Sequence, residues 1–425
     1  MKRIQNVTGL GRSVFLLRLE LAVFFHFLPS LVTGRISLPR FAAFLKRLLF
    51  FLSRLRHNKF ARIGNAARID LYVPGFPSRA FYTACEKFSV FGTKLPCATV
   101  LVSVTSACRY ACPHCYQRRD KGADMPLPAL VGVVRRLQDM GVAFFNVEGG
   151  EPFLVYDRLK SVCAAIDARS EVWVNSTGDG MTLDRLKELK GLNLTAIMFS
   201  LHTAQPEKLN RFMGSASAWE NLERGVSLCH EAGVPVTFNA CIPREDFFNG
   251  EFEKIMEKAR EWNSGLIQLI KPKPAGARME QGVETILPDD REAIRRKIHR
   301  YNHDAAYRSY PSISAQILEE APEVFGCTAG GTDRFYLNAK GDVQPCEFLN
   351  ISFGNVTRED FSSIYKRMRA CFEKPGQTWL CEAYSAKIRE VAGETGVLPL
   401  GTEESEKIYI NWERGKATEL YKVLE

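Results

Sequence analysis

An apolar, β-rich run leads directly into three closely spaced cysteines at residues 98–116, which read Ala98-Thr-Val-Leu-Val-Ser-Val-Thr105-Ser-Ala-Cys108-Arg-Tyr-Ala-Cys112-Pro-His-Cys115-Tyr116. Three cysteines this close suit metal ligation better than a disulfide framework. Thiolates are the usual ligands of iron–sulfur clusters, so this loop could hold three corners of a cube and leave one iron open to a small molecule. A zinc knuckle and fortuitous cysteines are the alternatives, although zinc sites usually add a second cysteine pair.

Strand and helix patterns alternate from this point to about residue 271. Short β-rich runs predict strands at 98–105, 143–147, 171–175, 196–201, 234–240 and 266–271. Helical periodicity predicts helices between them at 126–140, 156–167, 183–190, 218–232 and 252–262. Alternating units of this kind are typical of a parallel α/β sheet or a partial barrel.

A second motif lies at the end of the second predicted strand. Phe144-Phe-Asn-Val-Glu148 runs straight into Gly149-Gly150-Glu151-Pro152. Glycines let backbone groups approach a ligand closely, and a carboxylate suits a ligand ammonium group. Alone this would be only a turn, but its place at a strand end after the cysteine loop indicates a ligand site.

Together the two motifs resemble the radical SAM superfamily, whose signature is a Cys-x3-Cys-x2-Cys loop after the first strand of a partial (β/α)6 barrel. The resemblance implies that Cys108, Cys112 and Cys115 ligate a [4Fe–4S] cluster, and that the Gly-Gly-Glu stretch contacts S-adenosylmethionine (SAM). The expected fold class is α/β. It combines a partial (β/α)6 TIM-type barrel with an N-terminal helical extension and a small C-terminal α+β twitch-like domain.

The resemblance also implies a wider set of SAM contacts, most of them at strand ends, where barrel chemistry gathers. The expected contacts are Tyr116, Gly149, Gly150, Glu151, Pro152, Ser176, Ser200, His202 and Asn239. Polar residues at strand ends also cap helices, which is the alternative interpretation. The sequence assigns no catalytic side chain.

Four cysteines follow the barrel region: Cys327, Cys346, Cys371 and Cys381. With the hairpin pattern around Gly341, they resemble a SPASM/twitch extension that holds an auxiliary [4Fe–4S] cluster. No further cysteine run follows, so a second auxiliary cluster is not expected. The spacing of Cys371 and Cys381 matches no firm pattern, so one of them could be free and one iron open. A zinc-ribbon-like site is the alternative.

The net charge of +9 is concentrated at the N-terminus: residues 1–60 carry +10, and the remainder carries −1. A nucleic-acid partner is therefore not expected from the basic pI. Residues 41–56 predict a basic amphipathic helix, whose apolar stripe runs from Phe41 to Leu55 and whose other side carries Lys46, Arg47, Arg54 and Arg56. Such a helix favours an anionic membrane surface, and packing on the protein's own core or on a partner subunit is the alternative. Residues 13–33 are apolar but carry Arg18 and Glu20, which makes them a poor spanning helix.

The predicted organisation has five parts, and we expect a cytoplasmic protein, peripheral at the inner face of the membrane. The parts are the basic helical extension and connector (1–95), the radical SAM barrel (96–275), a helical linker (276–323), the auxiliary-cluster domain (324–400) and a tail (401–425) with a short β run at 407–412. No cleavable signal sequence is evident.

The resemblance implies that the reduced cluster cleaves SAM to a 5′-deoxyadenosyl radical, which removes hydrogen from a substrate carbon, with a flavodoxin- or ferredoxin-type protein as reductant. The cofactors supply the difficult chemistry, and the protein positions them. The N-terminal segment favours a lipid or lipid-linked substrate. A peptide- or protein-modifying maturase is the alternative, although residues 1–90 show no leader-binding domain pattern. A non-catalytic electron-transfer protein is the third reading, and the intact motif at 149–152 argues against it.

Overall fold

The computed structural model describes residues 6–54, 59–89, 98–372 and 375–418. Nine of its strands form one sheet, in the order β10-β9-β8-β7-β6-β5-β4-β11-β12. The strands are β1 (Asn6–Val7), β2 (Phe60–Ile63), β3 (Ala66–Arg68), β4 (Thr99–Ser103), β5 (Phe144–Glu148), β6 (Glu171–Ser176), β7 (Leu194–Ser200), β8 (Val236–Cys241), β9 (Leu266–Ile270), β10 (Ser312–Ala315), β11 (Arg334–Leu337) and β12 (Val343–Gln344).

Helices cover the sheet and build both ends of the chain. They are α1 (Leu10–Val32), α2 (Leu38–Arg54), α3 (Arg79–Ser89), α4 (Leu127–Asp139), α5 (Tyr156–Ala165), α6 (Leu183–Gly191), α7 (Pro206–Met213), α8 (Ala218–Ala232), α9 (Arg244–Phe248), α10 (Glu251–Glu261), α11 (Pro288–His303), α12 (Gln316–Glu319), α13 (Phe361–Cys371), α14 (Leu380–Ala383), α15 (Ser385–Ala392) and α16 (Thr402–Tyr409).

The six strands β4–β9 pair in parallel and in sequence order, which confirms the predicted partial (β/α)6 barrel. Each strand is mostly buried, because helices cover one face and the barrel interior the other. All six therefore end at the same edge of the sheet, where the cysteine loop and the Gly-Gly-Glu motif follow β4 and β5.

Two further strands extend this sheet where the sequence predicted a linker and a separate domain. Strand β10 pairs in parallel with β9, and β11 pairs in parallel with β4 before the β11–β12 hairpin. These strands have only four residues each, too few for periodicity to distinguish them from loops. The predicted β run at 407–412 is wrong, since Thr402–Tyr409 is helix α16.

The N-terminal helices pack on one another. Phe41 and Phe44 of α2 contact Phe24 and Phe27 of α1, with ring centroids 5.7 and 4.8 Å apart. Leu48 and Leu52 of α2 are also buried in the same cluster. The amphipathic helix was predicted correctly, and most of its apolar stripe packs on the protein itself, which is the alternative to a membrane contact, although Leu49 is exposed. The end of the predicted stripe, Leu55 and Arg56, lies outside the described residues.

Helix α1 instead presents apolar side chains to solvent. Its exposed row comprises Leu10, Val14, Leu17, Leu21, Phe25 and Val32, each between 48% and 87% exposed. Their spacing of three, four or seven residues places them on one face. Among the described residues, α1 is the one helix long and apolar enough to cross a membrane by length and composition, and this is weak evidence of a span.

Residues 60–76 close the amino-terminal end of the barrel. Arg68 is buried there, with its Nη2 atom 2.6 Å from Glu171 Oε2 and its guanidinium stacked 4.2 Å from the Trp173 ring. Gly75 N donates to the other oxygen of Glu171 at 2.8 Å. The region read as a connector therefore has a structural role, because it seals one end of the barrel and leaves the carboxyl end as the route inward.

Candidate active site

A cavity of about 330 Å³ lies at the carboxyl ends of the barrel strands. Its size is within the usual range for small-molecule sites, roughly 300–1,000 Å³. Of the predicted site residues, the cavity is lined by Cys108, Cys112, Cys115, Tyr116, Gly149, Gly150, Ser176, Ser200, His202 and Asn239. Residues separated by 131 positions in the sequence thus meet at one edge of the sheet.

The cysteine loop is held by backbone contacts on several sides. Cys112 Sγ lies 3.2 Å from the Met213 carbonyl oxygen, and Tyr110 N donates to Cys108 Sγ at 3.4 Å. The Cys115 carbonyl oxygen accepts a hydrogen bond from Ala277 N at 2.9 Å, in the loop after β9. These contacts hold the loop at the edge of the cavity.

A positively charged metal centre would stabilise the three thiols of this loop as thiolates. Burial raises the pKa of Cys108 to about 11 and that of Cys112 to about 12, and neighbouring cysteines add to both shifts. Three thiolates would repel one another here unless a metal centre supplied positive charge. Among the described residues, no three His, Cys, Asp or Glu side chains converge closely enough to hold one metal ion. This donor set fits a multi-iron cluster better than a single zinc.

The two glycines of the Gly-Gly-Glu motif dock one loop against the other. A Cβ atom on Gly150 would lie 2.1 Å from the Ala107 carbonyl oxygen, and one on Gly149 would lie 2.6 Å from the Thr105 carbonyl oxygen. Gly150 N donates to Thr105 at 2.8 Å, and Glu151 N donates to Ala107 at 2.8 Å. Only glycine permits this approach, so the motif also fixes the cysteine loop.

The side chain of Glu151 does not face the cavity, contrary to the sequence prediction. Its carboxylate accepts hydrogen bonds from Ser176 Oγ at 2.8 Å and from Thr177 N and Oγ, both at 2.7 Å. Pro152 begins a short 3₁₀ helix and likewise does not line the cavity. The Glu151 carboxylate thus binds the end of the neighbouring strand. The sequence motif alone could not distinguish this structural role from contact with a ligand.

His202 forms part of an uncharged aromatic wall. Its Nδ1 atom accepts a hydrogen bond from Cys241 N at 2.9 Å, and its ring lies 4.7 Å from the His114 ring. Burial lowers the pKa of His114 to about 4 and that of His202 well below its usual value. Both rings are therefore neutral at pH 7 and suit a flat, uncharged part of a ligand.

Glu148 is a cavity residue that the sequence analysis did not select. The Tyr116 hydroxyl donates to it, and Asn175 Nδ2 donates to its second oxygen at 3.1 Å. Burial raises the pKa of Glu148 to about 8. One feature of the sequence could have identified Glu148: it is an acidic residue at the end of a buried strand, immediately before Gly149.

The C-terminal cysteines separate into a group of three and a single residue. Cys327, Cys346 and Cys381 line a second, narrow cavity, whereas Cys371 does not. Cys371 ends α13, and its carbonyl oxygen accepts from the Arg414 guanidinium. The prediction of four ligands is therefore not supported for Cys371: helix α13 directs it elsewhere, and the chain then returns to bring Cys381 into the group.

The second cysteine group is charge-rich, with Cys346 buried and Cys327 and Cys381 half-buried. Burial raises the pKa of Cys381 to about 12, and burial likewise raises the pKa of Cys327 and Cys346. Arg334 lies beside them, paired with Glu320 at 2.6 Å. As in the first group, three thiols that line one cavity fit a cationic iron–sulfur cluster, whose usual ligands are thiolates.

Phe348 separates the two cavities and lines both of them. Its ring lies 5.7 Å from the Tyr116 ring, next to the first cysteine loop. On the same segment, Glu347 Oε2 lies 2.9 Å from Cys346 Sγ and lines the central cavity. One residue layer therefore divides the second cysteine group from the central cavity.

Comparison with known proteins identifies the two regions. The model of the radical SAM superfamily matches residues 102–259, and the SPASM model, an iron–sulfur cluster-binding domain, matches residues 327–383. The chain is a radical SAM enzyme with a SPASM domain. Its cofactors are accordingly SAM and [4Fe–4S] clusters. The predicted fold class and family are confirmed.

The relatives have several different activities. The enzyme is 24% identical to the PqqA peptide cyclase of Rhizobium meliloti over 300 residues, which is 68% of this chain and 78% of the relative. It is 21% identical to the AdoMet-dependent heme synthase of Nitratidesulfovibrio vulgaris over 295 residues, 64% of this chain and 79% of the relative. A crystal structure of Streptococcus suis SuiB bound to the precursor peptide SuiA matches with a TM-score of 0.51 and 14% identity, over 67% of each chain. This last likeness concerns the fold.

Proposed function

We propose that this enzyme uses SAM-derived radical chemistry to modify a peptide or a protein segment. When bound, SAM and a [4Fe–4S] cluster held by Cys108, Cys112 and Cys115 would supply the radical chemistry needed to remove a hydrogen atom from a substrate carbon. The similarity to PqqA peptide cyclases from two organisms supports a peptide substrate. The heme synthases at similar identity act on a different substrate, so the similarity by itself does not decide between substrate classes.

The observation that carries the proposal is the polarity of the central cavity. Its inner wall includes Asn146, Glu148, Asn175 and Gln268, all on barrel strands. The Asn146 and Asn175 side-chain oxygens have no hydrogen-bond partner within the protein. Buried amides need partners, and a peptide backbone or polar side chain supplies them, whereas an acyl chain would leave them unsatisfied.

We assign the radical cluster to Cys108, Cys112 and Cys115. The SAM site then runs along the same cavity wall, formed by Gly149, Gly150, Ser176, Ser200, His202 and Asn239. In this assignment Glu151 acts by holding Thr177 and the loop, and its carboxylate does not contact SAM. Tyr116 orients Glu148 toward the cavity, where this carboxyl group can hold or release a proton near the substrate.

We assign the auxiliary cluster to Cys327, Cys346 and Cys381, without Cys371. Three thiolates leave one iron for a further ligand. Because Phe348 lines both cavities, a cluster held by these cysteines would lie next to the substrate cavity and could supply redox chemistry to it. An external flavodoxin- or ferredoxin-type protein would reduce the radical cluster.

The substrate proposal is tested in a strain from which the gene has been deleted. The strain is complemented with the wild-type gene or with the Cys108→Ala variant, and its peptides, small metabolites and lipids are compared by mass spectrometry. A peptide species that changes mass only with the wild-type gene supports the proposal. A change confined to lipids or to small metabolites would overturn it.

A membrane location, with a lipid-linked substrate as the second candidate, rests on the exposed row of α1. Six apolar side chains on one face of α1 are exposed, and the same N-terminal segment also exposes Arg18, Arg35 and Arg40. Each basic residue close to an anionic surface contributes about 1 kcal/mol, and burial of the apolar row adds to this. This face replaces the α2 stripe as the proposed contact with anionic lipid on the cytoplasmic side.

Liposome flotation of the full chain tests the location. Leu17→Asp with Leu21→Asp should abolish flotation with vesicles containing phosphatidylserine, and added salt should weaken it. The matched control, Lys187→Asp with Lys254→Asp, alters exposed charges elsewhere on the chain and should still float. Flotation that is unchanged by the α1 variant would contradict the membrane contact, and with it the lipid-linked substrate.

A further inference from the structure

Two lysines that neither cluster nor SAM accounts for lie on the wall of the central cavity. Lys271 and Lys273 follow strand β9 directly, and both line the cavity. Their side chains are only 8% and 1% exposed. Lysine is seldom buried unless it is paired, so two buried ammonium groups side by side require compensating negative charge.

One carboxylate serves both lysines. Glu382, from α14 of the SPASM domain, lies 3.0 Å from Lys271 Nζ and 2.9 Å from Lys273 Nζ through the same oxygen. Lys273 Nζ also lies 3.2 Å from the centre of the Trp379 ring, which provides a weaker cation–π contact. Two positive charges thus share one negative charge.

The other acidic groups of this region are engaged elsewhere. Glu148 accepts from Tyr116 and Asn175, and Glu347 lies against Cys346. Glu284 does not line the cavity, and it affects the pKa of Lys271 less than Glu382 does. The remaining cavity-lining carboxylate, Asp120, pairs with Lys340 at 2.6 Å. Among the described carboxylates that line the cavity, none therefore contacts Lys271 or Lys273, and a further acidic group on this side is the Cys381 thiol.

We propose that Lys271 and Lys273 form a subsite for an anionic group of the substrate, a carboxylate or a phosphate. Each ammonium group has three donors. Glu382 accepts two contacts from Lys271 and one from Lys273, so donors remain for another acceptor. An incoming anion would accept hydrogen bonds from these donors and would lie between the barrel and the SPASM domain.

The subsite deepens the proposed function and rests on it, because it assumes that the central cavity receives the substrate. On a peptide, the matching group is a C-terminal carboxylate, an acidic side chain or a phosphorylated residue. Anchoring such a group at β9 would orient the substrate across the cavity toward the cysteine loop, and this would select which carbon meets the radical.

Calorimetric titration tests the subsite on the enzyme with both clusters reconstituted and SAM bound, under anaerobic conditions. Glutarate and inorganic phosphate serve as probes for the two anion chemistries. We expect at least one probe to bind the wild type, and Lys271→Met or Lys273→Met to weaken this binding at least tenfold. The matched control Lys187→Met, at an exposed position of α6, should bind like the wild type.

A second variant separates a lost charge from a damaged fold. Glu382→Gln removes the shared negative charge, so it should strengthen binding of the probe severalfold, whereas structural damage would weaken it. Failure of both probes to bind the wild type would overturn the subsite, as would Met variants that bind like the wild type.

The SAM carboxylate is the competing occupant, and a further titration distinguishes it. If the Met variants bind SAM more weakly but bind decarboxylated SAM normally, the lysines hold SAM and the substrate subsite is wrong. Formation of 5′-deoxyadenosine by the wild type is measured in the same preparations. Its absence would count against the proposed function, whereas its presence with no effect of the lysine variants would count against the subsite alone.

Discussion

The two cysteine groups of this enzyme are built in opposite ways. Cys108, Cys112 and Cys115 lie on one loop after one strand, so their spacing along the chain already brings them together. Cys327, Cys346 and Cys381 come from three separate segments, and only the tertiary fold brings them to one cavity. The cysteines of a local site can therefore be predicted from their spacing in the sequence. Which cysteines belong to a dispersed site depends on where the intervening helices place them.

The largest expected effect comes from breaking the local site. Cys108→Ala should reduce formation of 5′-deoxyadenosine from SAM and dithionite to background, because two thiolates cannot hold the cluster with an open iron. The product is measured by chromatography after anaerobic reconstitution. Cys163→Ala, at a buried cysteine outside both groups, is the control and should retain SAM cleavage. SAM cleavage that survives in Cys108→Ala would contradict the assignment of the first group.

Breaking the dispersed site should have a more selective effect. Cys346→Ala should lower the iron content from about eight to about four per chain, on the expectation of one [4Fe–4S] cluster in each group. It should still cleave SAM but not form the modified product, because the auxiliary cluster serves the substrate step. Iron analysis and EPR of the reduced protein measure the loss.

Cys371→Ala is the matched control for this prediction, since Cys371 lies outside the second cavity. It should keep both clusters and full SAM cleavage. Loss of iron in Cys371→Ala equal to that in Cys346→Ala would restore the four-cysteine interpretation of the sequence.

The third prediction concerns the contact that fixes the local site. Gly150→Ala would place a Cβ atom 2.1 Å from the Ala107 carbonyl oxygen, so the Gly-Gly loop must move away from the cysteine loop. We expect SAM cleavage to fall roughly tenfold or more, corresponding to about 1.4 kcal/mol or more. Gly132→Ala is the control, because α4 leaves open space there and alanine favours helix by about 0.5–1 kcal/mol. Equal activity of the two variants would show that the loops are not coupled.

Periodicity and motif spacing were sufficient to predict the six barrel strands, the cysteine loop and the amphipathic character of α2. They could not predict which apolar face is covered: α2 buries its stripe on α1, and α1 keeps its own row exposed. The pairing of β11 with β4 and the sealing of the barrel by Arg68 are contacts between distant segments, which no local pattern records. The same limit applies to Cys371 and Glu151, whose contacts come from distant segments.

A carboxyl group beside the local site should affect the stability of the fold in a pH-dependent way. Burial raises the pKa of Glu148 from 4.5 to about 8, so the folded protein keeps this proton over a pH range in which the unfolded chain has lost it. The folded state then binds more protons than the unfolded state, and the free energy of unfolding must fall as the pH rises from about 4.5 to about 8. Glu148→Gln cannot ionise and should remove this part of the pH dependence, which at about 1.4 kcal/mol per pKa unit is on the order of a few kcal/mol across the range. Midpoints of thermal unfolding at pH 5, 6, 7 and 8 measure this pH dependence, with Glu207→Gln at an exposed position of α7 as the control.

The midpoint of Glu148→Gln relative to the wild type should increase with pH, while that of Glu207→Gln should not. A constant difference for Glu148→Gln would mean that Glu148 is ionised in the folded protein and that the Tyr116 hydroxyl stabilises its negative charge at the cavity wall.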